Sequence, residues 1–367
     1  MTTEINLIAI AEQFTSQGQV TGIESLGNGN INDTFLVTLD SLERKHFVLQ
    51  RINTQVFRQP ALVMQNMRIL TDHVSADRLK RTPANRPWKV PRVLLTQNHQ
   101  NLWTDQNNGC WRAISFVENA QSFDTLPDNS HASEIGYALG MFHNLISDLP
   151  PAKLADTLPG FHITPLYLQH YQNILAKANP HTSPEVKYCL QFVSDRTTFA
   201  DILEDAKATG KLPLRLIHGD PKINNVLFDT TTQKAVSVID LDTVKPGLVH
   251  YDIGDCLRSG CNPMGEEAEH WEKVYFDLDL CQGILEGYLD VAQAFLTEND
   301  YSYIYAAIRL ITFELGLRFF TDYLAGDVYF KVKYPEHNLA RALVQFKLTE
   351  SIEAQETKIR QIIQDLK

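Results

Sequence analysis

Paired cysteines, a surplus of positive charge and a long apolar run are all missing from this sequence, and each absence removes a class of protein. Its cysteines are five, Cys110, Cys189, Cys256, Cys261 and Cys281, an odd set without metal-ligand spacing. Neither a disulfide framework nor a zinc site is expected, and reduced core thiols are the plain reading. Lys and Arg total 33 against 44 Asp and Glu, a formal charge of -11. No nucleic-acid partner is expected, because phosphate-backbone binding rests on clustered positive charge. No stretch approaches the roughly 20 apolar residues of a membrane span, and the opening MTTEINLIAIAEQF lacks the basic and apolar regions of a targeting signal. No membrane partner is expected, and a cytoplasmic location follows by elimination. Internal repeats and low-complexity tracts are absent too, which excludes a solenoid.

What is present is an ordinary globular composition, 44% hydrophobic and 21% charged over 367 residues. That length exceeds what one core usually serves, so two lobes are expected, 1–117 and 118–367. After an amphipathic segment at 5–14, β-branched alternating stretches at 20–26, 34–39 and 47–51 predict a hairpin and a third strand. Pro60 opens a helical pattern with Leu62, Val63, Met67 and Leu70 on one face, and strands follow at 92–96 and 110–117. From 118 the periodicity turns helical, at 131–146, 185–208, 268–295, 303–324 and 338–366. The fold class is α+β: a small antiparallel sheet followed by a larger helical part.

One β-rich block, LRLIHGDPKINNVLFDTTTQKAVSVID, interrupts the helices. It places Asp220 five positions before Asn225, and Asp240 after an intervening hairpin. Phosphoryl transfer needs a carboxylate to take or orient the proton of the attacking hydroxyl, and oxygen donors to hold Mg2+ against phosphates. Asp220 suits the first task; Asn225 and Asp240 suit the second. The spacing follows the protein-kinase pattern H-x-D-x-x-x-x-N. His218 is expected to orient the loop by hydrogen bonds. The glycine-bearing turn Gly27-Asn28-Gly29-Asn30 would bring backbone N-H groups to ATP phosphates, with Asn32 just beyond it. The backbone of the strand end at Phe116 and Glu118 would meet adenine.

The blocks LIHGDPKINNVLF, VIDLDT and HYDIGD resemble the aminoglycoside phosphotransferase and choline kinase family, which has a two-lobed protein-kinase-like fold. The resemblance implies ATP and Mg2+ as cofactors, Asp220 as catalytic Asp, and Asn225 and Asp240 as metal ligands. Asp252 and Asp255 would brace the loop. Segments from TGIESLGNGNINDTF to LGLRFFTDYLAGDVYFKVKYPEHNLARA further resemble the N-acetylhexosamine 1-kinases, implying a small-molecule sugar as acceptor. In the last segment Arg318 offers a planar fork of donors to sugar oxygens, and Asp327 and Tyr329 would line the same pocket. Where many relatives carry a phosphate-clamping lysine in the third strand, this chain has Gln50 and Arg51, so Arg51 or a neighbouring cation must compensate. Three rivals stand beside this reading. One is a kinase of the same family for choline, homoserine, methylthioribose or an aminoglycoside; the others are a nucleotide-binding pseudokinase and a metallohydrolase using His218, Asp220 and Asp240.

Overall fold

Alternating inward and outward side chains in the first part of the chain build a six-stranded antiparallel sheet. Its strands are β1 (Val20–Ser25), β2 (Asp33–Leu39), β3 (His46–Ile52), β4 (Val93–Leu94), β5 (Trp103–Thr104) and β6 (Cys110–Ser115), in the order β1-β2-β3-β6-β4 with β5 also on β6. The computed structural model describes residues 6–15, 18–27, 31–41, 45–74, 79, 86–126, 128–178 and 183–367. On one face of the sheet Phe47, Leu49, Val37 and Trp111 pack with Ile10 and Phe14 of the short N-terminal helical segment, whose α-helical part is α1 (Leu7–Ala11). On the other, Ile52 and Cys110 share a core with Val63, Met64 and Met67 of α2 (Pro60–His73), a helix that begins on Pro60 where the missing N-H costs nothing. The β3–β6 register sets Gln50 opposite Arg112.

The helical part contains α3 (Asn129–Ile146), α4 (Thr164–Leu175), α5 (Pro184–Ser194), α6 (Ile202–Ala208), α7 (Val249–Gly260), α8 (Leu278–Ala292), α9 (Glu298–Ala325), α10 (His337–Ala354) and α11 (Glu356–Asp365). Two small sheets thread it: β7 (Ala120–Gln121) and β10 (Ala235–Val238) flank β9 (Val226–Asp229), and β8 (Arg215–Ile217) pairs with β11 (Lys245–Gly247). The mixed architecture and the strand–helix order follow the sequence expectation. Three expected helices need correction. The stretch 185–208 breaks after Ser194, where Arg196 leaves helical geometry and pairs with Glu353. The stretch 338–366 breaks at Gln355, whose side chain donates to the Phe276 carbonyl. The stretch 268–295 becomes helical only at Leu278, where Asp277 caps the first turn. Helix α4 was not expected.

All five cysteines are free and buried. Among the described residues no helix is long and apolar enough to cross a membrane.

Helices α3 and α8 cross on glycine. A Cβ built on Gly136 would lie 1.8 Å from the Ile284 carbonyl oxygen, and one on Gly287 would lie 1.9 Å from that of Ser133. Backbone cannot yield as a side-chain tip does, so Gly287→Ala is expected to lower stability by about 1–3 kcal/mol or more in urea denaturation. Gly22→Ala, whose Cβ meets nothing nearer than 3.7 Å, serves as the control; equal midpoints for the two would contradict this packing.

Candidate active site

Strand β8 delivers His218, Gly219 and Asp220 into a loop held from beneath by Asp252 of α7. Asp252 is fully buried. It accepts from the His218 and Gly219 backbone amides at 2.6 and 2.8 Å, and from His143 Nε2 at 2.8 Å. Three donors satisfy a carboxylate that would otherwise be costly to bury. Gly219 has φ 88, and a Cβ there would lie 2.7 Å from the Thr243 carbonyl oxygen, so glycine is required twice over.

His218 serves the loop through both ring nitrogens. Nε2 donates to the Ile239 carbonyl at 2.8 Å, and Nδ1 accepts from the Asp220 amide at 3.3 Å. That pattern fixes the neutral tautomer, and burial lowers the imidazole pKa further. Asn225 donates its side-chain amide to the Asp220 carbonyl at 2.8 Å, while its own carbonyl accepts from the Ile239 amide at 2.9 Å. Ile239 is thus stitched to both ends of the loop. The next residue, Asp240, stands in the left-handed region at φ 63, a conformation that Asp tolerates better than most residues and that recurs at functional sites.

The electrostatics separate the two carboxyls. Burial works against charge on Asp220, but Lys222 Nζ, 3.0 Å from its Oδ2, outweighs it and holds the group below the usual carboxylate range. Asp240 still meets solvent, yet the cleft walls, and after them the charges of Asp242 and Asp220, push its carboxyl up to about 7. An acid held unwillingly among acids is what a cation would relieve. With the Asn225 amide nitrogen already engaged, its oxygen remains as a donor, so Asn225 and Asp240 fit Mg2+, which keeps several waters and takes few protein ligands. Among the described residues no group of three His, Cys, Asp or Glu side chains is placed to hold a metal ion, and the metallohydrolase donor set is therefore not assembled. Asp255 pairs instead with Arg258 at 2.8 Å.

Above the loop, the sheet supplies a cation that sequence reasoning missed. Arg112, 1% exposed, donates through Nε and Nη2 to Gln50 Oε1 at 2.9 and 2.7 Å, and through Nη1 to Asp242. Asn32 Nδ2 takes the other Asp242 oxygen at 2.8 Å. Gln50 therefore faces the cleft as an acceptor for Arg112. Arg51, one residue on, points to the opposite face of β3, where its field falls on Asp105; the cation beside Gln50 is Arg112, whose charge is paired with Asp242. Gly27 has φ 70 and open space around it, whereas Gly29 lies outside the described residues. At the strand end, Phe116 packs edge-on to His46, whose Nδ1 is 2.8 Å from Glu118 Oε1. The Glu118 carbonyl accepts from Lys89 Nζ at 2.8 Å.

Elsewhere in the helical part, α9 ends in Gly326 at φ 89, and Asp322 gathers the amides of Val328, Tyr329 and Phe330 at 3.0, 2.9 and 2.9 Å. This fixes the segment that carries Tyr329. Arg318, half-buried, sits 5.0 Å from the Tyr167 ring centre, 5.3 Å from Phe161 and 5.5 Å from Phe330. It has no hydrogen bond or ion pair among the described residues, and the fields of Tyr329 and Asp220 both reach it. Asp327 is engaged elsewhere, accepting from Asn338 Nδ2 at 2.8 Å. The structure thus brings Asp220, Arg318 and Tyr329 to one region and turns Asp327 toward α10.

Removing Arg112 would leave Asp242 buried without its counter-charge, a loss of about 3–5 kcal/mol. Arg112→Met should lower the denaturation midpoint accordingly, and the double variant Arg112→Met/Asp242→Leu should recover most of it. An unchanged midpoint in the single variant would show that the pair carries no such load.

The family model described as phosphotransferase enzyme family matches residues 22–283. Among solved structures, the chain is similar to an aminoglycoside phosphotransferase from Alicyclobacillus acidocaldarius (15% identity, 100% of this chain and 98% of that one, TM-score 0.65). It is also similar to choline kinase from Cryptosporidium parvum Iowa II (14%, 97% and 96%, TM-score 0.61). A third likeness is to the GDP complex of aminoglycoside 2'-phosphotransferase-IIIa (15%, 92% and 94%, TM-score 0.57). At these identities the structures speak for the fold, a protein-kinase-like one. The family match spans well over half of the chain and contains the Asp220, Asn225 and Asp240 loops, so this chain belongs to the phosphotransferase enzyme family and transfers a phosphoryl group to a hydroxyl acceptor.

Proposed function

We propose that this phosphotransferase moves the γ-phosphoryl group of ATP to the anomeric (C1) hydroxyl of an N-acetylhexosamine, GlcNAc or GalNAc. The observation that carries the reading is Arg318. Among the described residues its guanidinium makes no ion pair, although the fields of Glu314 and Asp220 reach it, and it lies among three aromatic rings on the Asp220 side of α9. Such a fork donates to hydroxyl and acyl oxygens, and the adjoining rings offer stacking faces to a sugar. The same placement disfavours a cationic acceptor such as choline. The aromatic cage that would attract an ammonium is already occupied by the protein's own cation. The near-whole-chain resemblance to N-acetylhexosamine 1-kinases points the same way.

In this reading residues 1–117 cover ATP, with Gly27, Asn32 and Gln50 on the phosphate side and the 116–118 backbone at the base, while 118–367 carry the reacting groups. Asp220 is ionised and accepts the proton of the attacking hydroxyl. Lys222, held against Asp220 and raised in pKa by it, keeps positive charge beside the transferring group. Asn225 and Asp240 would hold Mg2+, which when bound neutralises charge on the phosphate oxygens. Arg318 and Tyr329 orient the sugar so that its C1 hydroxyl faces Asp220.

A coupled ADP-release assay over N-acetylhexosamines, plain hexoses, choline and an aminoglycoside tests this. N-acetylhexosamines should be turned over with the highest kcat/KM. Asp220→Asn should lower kcat by about 10^2–10^4-fold with nucleotide binding retained. Arg318→Ala should raise the sugar KM about 10-fold or more, with the KM for ATP unchanged. Preference for choline, or an Arg318→Ala enzyme with unaltered sugar kinetics, would overturn the assignment.

A further inference from the structure

His162 lies in the left-handed region at φ 63, is 4% exposed and precedes α4. Both of its ring nitrogens face acceptors: Nε2 is 2.8 Å from the Gly219 carbonyl oxygen, and Nδ1 is 2.9 Å from Glu314 Oε1. A carbonyl oxygen has no proton to give, so Nε2 must carry one. Glu314 is itself buried, and its other oxygen already accepts from Thr164 Oγ1 at 2.7 Å. Thr164 fills one oxygen of Glu314 and leaves the other to Nδ1, so an imidazolium would give each ring nitrogen an acceptor.

The two ends of this bridge matter. Gly219 immediately precedes Asp220, and Glu314 lies one helical turn before Arg318 on α9. We propose that His162, held as an imidazolium, is a positioning residue that ties the acceptor-binding helix to the Asp220 loop and so sets the distance between the base and the bound sugar. The inference rests on Asp220 and Arg318 having the roles given above, and is indifferent to which hexosamine is bound.

The surroundings support the charge. From α9 the group facing His162 is Glu314. From α7 come Asp255 and Tyr251, the latter stacked at 5.5 Å with its hydroxyl taken by Glu204. The loop side contributes the Phe161 ring at 4.0 Å and the Gly219 carbonyl. Burial opposes the imidazolium, but Glu314 and then Asp255 outweigh it and raise the pKa above the usual histidine value. The sign follows. The bridge is complete below the ordinary histidine pKa of about 6.5 and is lost only as pH rises through the higher folded value, when one nitrogen is left bare against an acceptor.

Nitrogen-15 NMR of the full-length protein labelled at histidine, with the His162 signals assigned by their loss in His162→Gln, reads the ring directly. At about pH 6.5, where a free histidine is half neutral, both His162 nitrogens should be protonated, and Glu314→Gln should shift the ring toward the neutral pattern. One protonated and one bare nitrogen in the unaltered protein would overturn the proposal. This readout needs no substrate, so it stands apart from the identity of the acceptor. In turnover, His162→Gln should lower kcat about 10–100-fold while both KM values stay within about 2-fold. Glu314→Gln should move the alkaline limb of kcat to lower pH. A change confined to KM, or an alkaline limb that does not move in a variant that melts normally, would show that His162 only fills space.

Discussion

A carboxylate sealed from water, Asp252, anchors the backbone of the His218–Asn225 loop, and the geometry of the site descends from that anchorage. An unpaired carboxylate in such a place would cost several kcal/mol, so the loop amides of His218 and Gly219 and the His143 ring cannot leave it cheaply. From the fixed backbone, His218 reaches across to Ile239 and Asn225 reaches back to Asp220. Two loops distant in sequence are thereby joined through main-chain atoms, leaving the carboxyls of Asp220 and Asp240 free for chemistry.

Opposed environments then divide the work of those carboxyls. Lys222 keeps Asp220 charged, as the proposed role of proton acceptor requires, while burial and then Asp242 and Asp220 work against charge on Asp240, which a divalent ion would relieve. The sheet part enters through Arg112, which neutralises Asp242 and meets Gln50 at the strand position where the family resemblance led to the expectation of a lysine. A cation is still present there, but it arrives from the neighbouring strand and is spent on the protein's own carboxylate. Across the cleft, Arg318 makes no such ion pair among the described residues, and that asymmetry is what supports the proposal that it serves a ligand.

The loop residues were legible because their signal is local: a strand, a polar turn with Asp220 and Asn225 five positions apart, a hairpin and Asp240. The first strands and α2 were legible for the same reason, through alternation and the Pro60 start. Arg112 was not, since its meaning comes from the β3–β6 register and from a partner 130 positions away. His162 and Glu314, 152 apart, were hidden likewise. Lys222 stood in plain view two residues after Asp220, and its charge beside a carboxylate was the signal to have weighed. Periodicity ran through the breaks at Arg196 and Gln355 because long-range side-chain bonds, rather than helix-breaking residues, end those helices. Asp327 was read by nearness to Arg318 along the chain, but the turn at Gly326 swings it toward Asn338.

The most direct measurement is a crystal structure with Mn2+, a non-hydrolysable ATP analogue and N-acetylglucosamine, with the metal located by anomalous scattering. Manganese is expected on the Asn225 amide oxygen and the Asp240 carboxylate, with the terminal phosphate between that ion and Asp220, and the sugar C1 hydroxyl against Asp220 with Arg318 on the ring substituents. Manganese bound away from both side chains, or a terminal phosphate directed away from Asp220, would contradict it.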